Sequence, residues 1–326
     1  MNILITGCAG FIGFHVCNNL LNSKKNKIIG IDNVNNYYDV NLKHERLKVL
    51  KKKKNFIFFK GDISNLKFLK KIFNYQKITH VINLAAQAGV RYSIKNPEAY
   101  YNSNIKGFFN LINISKEFKI KHFVYASTSS VYGNKKKFPI TEEMNSDLPL
   151  SFYAATKKCN EIIAHSYSYI YNLPTTGLRF FTVYGPYGRP DMAIFKFTKN
   201  ILNNKKINLF NHGKHTRDFT FINYVAEAVV KIIDKYPSQK IPYEIYNIGG
   251  SKPITLMNFI NILEKNLGKK AKIKYLKLQK GDVKKTHASN AKLIKKINFK
   301  SKPLDVKFGV KLFTEWYKNF YDTKIF

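Results

Sequence analysis

Tyr153-Ala-Ala-Thr-Lys157 places a phenol and an ammonium four residues apart, a spacing that brings both onto one face of a helix. A cation near a phenol favours the phenolate, so the pair could supply a general base near neutral pH. On an arbitrary helix the same spacing is usually a surface pair, so its surroundings decide. Upstream, residues 124–133 read Val-Tyr-Ala-Ser-Thr-Ser-Ser-Val-Tyr-Gly. Ser127, Thr128, Ser129 and Ser130 crowd hydroxyls at the end of an apolar strand, and in open α/β sheets ligands bind at such carboxyl ends. A plain serine-rich turn is the alternative; the order of the motifs along the chain speaks against it.

A second constellation opens the chain. Gly7-Cys-Ala-Gly10-Phe11-Ile12-Gly13 follows the first strand and starts the first helix. Glycines there permit a tight turn, close backbone approach to a pyrophosphate and tight helix-on-strand packing, while the helix N-terminus supplies amide donors. The spacing is G-x-x-G-x-x-G, a variant of the common fingerprint. Asp32 ends the second strand about twenty residues later, where a carboxylate can accept hydrogen bonds from a ribose 2′-hydroxyl. A 2′-phosphate would meet a negative charge, so NAD is expected over NADP. Asp62 and Ile63, after the third strand, fall where adenine would be lined, and Asp62 could also cap the helix that follows.

Elements that position these groups are legible as alternating runs. Strands are expected at Asn2–Thr6, Lys27–Asp32, Asn55–Lys60, His80–Leu84, His122–Ser127 and Thr175–Phe180, apolar on both faces as in a covered parallel sheet. Helices are expected near Phe11–Ser23, Leu66–Tyr75, Ala99–Lys116 and Tyr153–Tyr171. This alternation implies right-handed crossovers and a doubly wound α/β fold. After about residue 182 it loosens, with strands near Ile207–Phe210 and Ile245–Ile248 and helices near Asn223–Lys235, Leu256–Lys265 and Val306–Phe320. The expected division is 1–182 for a dinucleotide-binding domain carrying the catalytic residues and 183–326 for a smaller lobe, some of whose segments could return to the first.

Composition narrows the class. The chain has 326 residues, 44% hydrophobic, enough for a full core. A formal charge of +36 invites a nucleic-acid or membrane-surface reading. However, lysine is spread along the whole chain beside heavy use of asparagine, and arginine is scarce, so we expect neither specific nucleic-acid binding nor membrane insertion. Cys8, Cys17 and Cys159 are an odd count without metal-ligand spacing, which fits free thiols and no metal. No basic leader precedes an apolar stretch at the start; the expected location is the cytoplasm.

Together the glycine loop, Asp32-Asn33, Asn83-Leu84-Ala85-Ala86, Ser127–Gly133, Tyr153–Lys157 and Arg179-Phe-Phe-Thr-Val-Tyr-Gly185 closely resemble the extended short-chain dehydrogenase/reductases. Longer strings, Asp32–Asp39, Ala85–Tyr92 and Arg179–Pro190, are similar to UDP-glucuronate 4-epimerases, including those of bacterial capsule pathways. The resemblance covers nearly the whole chain. It implies a Rossmann-type sheet with a C-terminal α/β substrate-binding lobe, and an NAD site that adds Asn33, Leu84, Ala85, Ala86, Gln87, Asn104, Ser127, Phe180 and Val183 to the residues above. It implies that Tyr153, helped by Lys157, takes the proton of the sugar 4-hydroxyl, that Thr128 hydrogen-bonds the reacting oxygen, and that a 4-keto sugar turns over before hydride returns. It also implies a homodimer through paired helices and a role in polysaccharide precursor supply.

Related dehydratases and decarboxylases carry an acid two places after the catalytic threonine; here Ser130 stands there. A 4-keto glucuronate is a β-keto acid prone to lose CO₂, so an epimerase must grip its carboxylate with neutral donors. Thr128, Ser129, Ser130 and Thr182 are the residues expected to do so. By the same resemblance, Arg189 and Arg217 face the UDP diphosphate, Asp282 faces uridine, and Arg91 is a substrate-side cation or a solvated loop arginine. The alternatives are 4-epimerisation of a neutral or N-acetylated UDP-hexose and, in a different class, a non-catalytic NAD- or RNA-binding protein.

Overall fold

The computed structural model describes residues 1–279 and 281–322. Its first six strands are β1 (Asn2–Thr6), β2 (Lys27–Asp32), β3 (Phe56–Lys60), β4 (His80–Asn83), β5 (His122–Thr128) and β6 (Thr175–Phe180). Beyond them come β7 (Thr182–Tyr184), β8 (Lys206–Leu209), β9 (Thr216–Arg217), β10 (Phe219–Phe221), β11 (Tyr243–Ile248), β12 (Ile254–Thr255) and β13 (Lys272–Tyr275). The central sheet is wholly parallel, in the order β11-β6-β5-β4-β1-β2-β3. Strand order reverses between β1 and β4, which opens a crevice above their carboxyl ends.

The helices are α1 (Phe11–Leu20), α2 (Val40–Lys51), α3 (Leu66–Gln76), α4 (Tyr92–Lys95), α5 (Pro97–Tyr100), α6 (Gly107–Glu117), α7 (Phe152–Tyr171), α8 (Ala193–Leu202), α9 (Ile222–Ile232), α10 (Leu256–Leu267), α11 (Ala291–Ile297) and α12 (Val306–Asp322). One face of the sheet buries Leu69, Phe73, Phe108, Leu111 and Ala164 from α3, α6 and α7 against Phe123 and Tyr125. On the other face α1 packs on α9 through Phe14, Val16, Val225 and Val229 in a core that continues into the C-terminal lobe. Each fully buried aliphatic or aromatic side chain of these layers contributes about 1.5–3 kcal/mol.

Two regions gain detail beyond the sequence expectations. The helix expected over Ala99–Lys116 is present and contains a π-helical turn: α5 ends at Tyr100, the turn spans Tyr101–Lys106, and α6 begins at Gly107, with right-handed backbone at each joint. A Cβ on Gly107 would meet Ile63 at 2.6 Å, which is why glycine stands where the helix crosses the adenine-side loop. After residue 182 the chain contributes to the central sheet as well as to a smaller lobe. Parallel pairing of β11 with β6, Tyr243 opposite Thr175 through Ile248 opposite Phe180, returns it to the edge of the central sheet. What remains as a lobe is three two-stranded sheets, β7/β10, β8/β13 and β9/β12, with α8, α10 and α12.

Candidate active site

The first glycine turn is forced by its neighbours across the crevice. Gly7 has φ +71°, and a Cβ there would lie 2.7 Å from the Ala85 backbone nitrogen. A Cβ on Gly13 would lie 2.0 Å from the Gly7 carbonyl oxygen. Gly10, the residue that precedes α1, is extended and no side chain caps the helix, so its first-turn amides are left for an anion. Gly7, Gly10, Phe11, Ile12 and Gly13 all line one continuous cleft of about 380 Å³.

Asp32 stands at the same end, buried, with Oδ2 accepting the Ala9 N–H at 3.1 Å and Oδ1 the Val34 N–H at 2.8 Å. Each oxygen retains a lone pair for a ribose hydroxyl. Asn33 donates to Asp62 Oδ2 at 2.7 Å, and Asp62 Oδ1 accepts the Ser64 N–H at 2.8 Å, which helps hold the Asp62 carboxyl below the usual range despite desolvation. The cap of α3 is Asn65, which accepts the Phe68 N–H at 3.0 Å, and not Asp62. Ile63, Leu84, Ala85, Ala86, Gln87, Ser127, Phe180 and Val183 continue the lining. A glycine cradle that admits no Cβ, uncapped amides beyond it and an acid about 20 residues on fit a dinucleotide.

At the other end, Ser151 Oγ accepts the Ala154 N–H at 3.2 Å and starts α7, which fixes Tyr153 in its first turn. Lys157, one turn on, is buried and donates to the Ala126 carbonyl at 2.9 Å. Thr128 ends β5, and its Oγ1 accepts the Ser130 N–H at 3.2 Å, turning the chain so that Ser129 and Ser130 follow it into the cleft. Thr182 reaches the same cleft from the start of β7. Desolvation raises the Tyr153 pKa, Arg189 and a hydrogen bond with Thr128 oppose it, and Asp191 adds to it. Lys157 itself is pulled from 10.5 to about 8 by burial. Arg189 is thus a cation that favours the phenolate, in addition to the Lys157 that the sequence argument named for that role.

Arg189, expected to face the diphosphate, lines the cleft. It is clamped to Asp191 through Nε at 2.9 Å and Nη2 at 2.6 Å, and Asp191 accepts from the Tyr37 hydroxyl at 3.2 Å. From there its charge acts on the Tyr153 phenol. Asn104, expected as a cofactor ligand, is absent from the cleft lining. Its Oδ1 accepts the Gln87 N–H at 2.8 Å and its Nδ2 donates to the Gln87 carbonyl and to Thr156 Oγ1, both at 3.0 Å, so it props the cofactor wall against α7. Arg91, Arg217 and Asp282 also lie outside that lining, grouped together. Arg91 pairs with Asp282 at 3.2 Å over the Phe210 ring, and half-buried Arg217 donates only to the Thr216 and Lys284 carbonyls among the described residues. Burial lowers the Arg217 pKa to about 10, against the pull of Asp282, which leaves a cation suited to an anionic ligand.

Sequence reasoning missed Lys43, which lines the ribose end with Nζ donating to Asn35 O and Oδ1, both at 2.8 Å. It missed Glu161 as well, which lies at four and eight residues from Lys157 and Tyr153. Buried Glu161 takes Arg179 Nε and Nη2 at 2.8 Å each and the Ser127 hydroxyl at 2.6 Å, so Ser127 is oriented from α7. The helical repeat from Tyr153 was the available signal for Glu161; α2 was not recognised as a helix, and with it Lys43 went unread.

Among the described residues the acids lining this cleft are Asp32 and Asp62, both at the cofactor end, while hydroxyls and Arg189 line the reacting end. Relatives have the same extent. Protein CapI of Staphylococcus aureus is 48% identical over 98% of this chain and 99% of its own. The UDP-glucuronate 4-epimerase of Thermodesulfobacterium geofontis is 45% identical over 97% of this chain and 95% of its own. A crystal structure of UDP-glucuronic acid 4-epimerase from Bacillus cereus in complex with UDP-glucuronic acid and NAD superposes with a TM-score of 0.91 at 35% identity, covering 98% of this chain and all of that one. The glycine turn, the acid after β2 and the Tyr-Lys helix all fall within residues 3–249, the span matched by a single family profile, and the chain belongs to the NAD dependent epimerase/dehydratase family.

Proposed function

We propose that this protein is an NAD-dependent UDP-sugar 4-epimerase that interconverts UDP-glucuronate and UDP-galacturonate. The observation that carries the reading is the reacting end of the cleft, where Tyr153, Thr128, Ser129, Ser130, Thr182 and Arg189 converge, while Asp191, the acid that acts on Tyr153, stands outside the lining and is clamped by Arg189. An anionic sugar is tolerated there, and the acid that elimination needs is missing.

When bound, NAD supplies the acceptance and return of a hydride. Gly7, Gly10, Gly13 and the first-turn amides of α1 hold its pyrophosphate, Asp32 and Lys43 its ribose, and Asp62 and Ile63 its adenine. Tyr153 takes the proton of the sugar hydroxyl, and Thr128 donates to the same oxygen as charge develops on it. Ser129, Ser130 and Thr182 hold the sugar carboxylate through neutral hydroxyls, which discourages loss of CO₂ from the keto intermediate. Arg217, with Arg91 and Asp282, serves the nucleotide end. Functionally the chain divides into 1–182 plus the returning β11 for cofactor and chemistry, and the remainder for the nucleotide sugar.

We further propose a cytoplasmic homodimer that feeds uronate-containing polysaccharides. The exposed faces of α6 and α7 support the dimer: Phe109, Ile162, Tyr169 and Ile170 are each about half exposed or more, an apolar surface unusual for a monomer. No helix among the described residues is long and apolar enough to cross a membrane. Incubation with UDP-glucuronate followed by NMR tests the activity: appearance of UDP-galacturonate is expected, and release of CO₂ or absence of turnover refutes it.

A further inference from the structure

Arg46 on α2 is fully buried, and among the described residues its guanidinium donates to carbonyls and a phenol. Nη1 donates to the Ala9 carbonyl and to the Tyr38 hydroxyl, each at 2.7 Å. Nη2 donates to the carbonyls of Tyr187, at 2.7 Å, and Gly188, at 3.3 Å. Its Nε is buried and has no hydrogen-bond partner among the described residues. Burying a cation is costly unless its donors are bonded, so the four bonds hold the groups they reach in fixed places.

What the four bonds join is specific. Ala9 lies inside the phosphate loop, and its N–H is already held by Asp32 at 3.1 Å, so one peptide of that loop is gripped by an acid on one side and Arg46 on the other. Tyr187 and Gly188 immediately precede Arg189, a cation whose charge acts on Tyr153, and Tyr187 sits at φ +56°, a conformation rarely adopted without outside support. The preceding carbonyl, of Pro186, accepts from His15 Nε2 of α1 at 3.0 Å. Burial lowers the His15 pKa to about 4, so this donor is neutral under working conditions. Three consecutive carbonyls of the Arg189 loop are thus hung on α1 and α2, the helices that flank the phosphate loop.

We propose that Arg46 is a positioning residue that sets the phosphate-loop peptide at Ala9 and the loop carrying Arg189 from one buried guanidinium, so that cofactor affinity and turnover depend on it together. The inference rests on the NAD-dependent reading above and names how this chain ties its two half-sites. It predicts a fork requirement: one donor pair reaches Ala9 and Tyr38, the other Tyr187 and Gly188. A single ammonium cannot span both.

The test compares the wild-type chain with Arg46→Met and Arg46→Lys, using NADH binding by fluorescence, UDP binding by calorimetry and turnover at saturating NAD and UDP-glucuronate. Arg46→Met is expected to weaken NADH binding about ten-fold and to lower saturating turnover about ten-fold, with UDP binding changed less than two-fold, because charge-assisted hydrogen bonds of this kind are lost at both loops. Arg46→Lys keeps the charge and is expected to recover one of the two losses and not both. A folded Arg46→Met with wild-type NADH affinity and turnover overturns the proposal. If Arg46→Met does not fold, a folded Arg46→Lys that matches the wild type in both readouts overturns it equally. Wild-type protein that fails to bind NADH refutes the cofactor reading and the inference with it, whereas wild-type binding with unchanged variants refutes the inference alone.

Discussion

Lys157 gives a prediction that separates stability from activity. Its ammonium is buried and has a single protein acceptor in the described structure, the Ala126 carbonyl, and burial lowers its pKa from 10.5 to about 8. Below pH 8 the lysine is protonated in both folded and unfolded chains, so folding bears the full cost of desolvating the cation. Between 8 and 10.5 the unfolded chain binds more protons, and stability rises with pH; above 10.5 the penalty is gone. Replacing Lys157 by Met removes this dependence and keeps the side-chain volume. The stability of the wild type relative to Lys157→Met should therefore increase by about 2.5 kcal/mol between pH 7 and pH 10. Any pH-independent loss, such as the unpaired Ala126 carbonyl, cancels from that difference. At about 2.1 cal/mol/K per residue over 326 residues, the matching change in relative Tm is roughly 4 °C. Thermal melts of the cofactor-free proteins at both pH values measure it, and turnover measured alongside should fall by at least about a hundred-fold in the variant. Stability curves that run parallel from pH 7 to pH 10 would refute the claim that this ammonium is desolvated.

Other expectations are simpler to read. Tyr153→Phe should lower turnover of UDP-glucuronate by about a thousand-fold while leaving NADH affinity within two-fold; retained activity would mean another group is the base. Arg189→Gln removes a cation that favours the phenolate and leaves Asp191 acting on it, so the rising limb of kcat/KM should move to higher pH, and movement to lower pH contradicts the assignment. Gly13→Ala places a Cβ 2.0 Å from the Gly7 carbonyl oxygen; loss of NADH binding is expected, and unaltered binding would show that the turn is not the cofactor cradle. Thr182→Val should reduce kcat/KM for UDP-glucuronate by about ten-fold and for UDP-glucose by less than two-fold, because only the acid substrate presents a carboxylate to that hydroxyl; equal losses would remove Thr182 from the carboxylate grip.

The sequence alone determined the parts of the site built from local spacing. Gly7, Gly10 and Gly13, Asp32 after its strand, and Tyr153 with Lys157 depend on a turn, a strand end and a helical repeat, all written within about 25 residues of chain. It also determined the first six strands almost to the residue, because a parallel sheet covered on both faces requires uninterrupted apolar runs. Tertiary structure decided what depends on neighbours distant in sequence. The bond from Tyr37 to Asp191, which clamps Arg189, spans 154 residues. Asn104 looked like a cofactor contact until its amide proved committed to Gln87 and Thr156. The pairing of β11 with β6, the π-helical turn that ends at Gly107, and the four bonds of Arg46 rest on contacts across tens to more than a hundred residues, and no local pattern encodes them. The acidity of Tyr153 follows the same rule: the sequence supplied the phenol and its lysine, but burial and the partner of Arg189 set the charge it experiences.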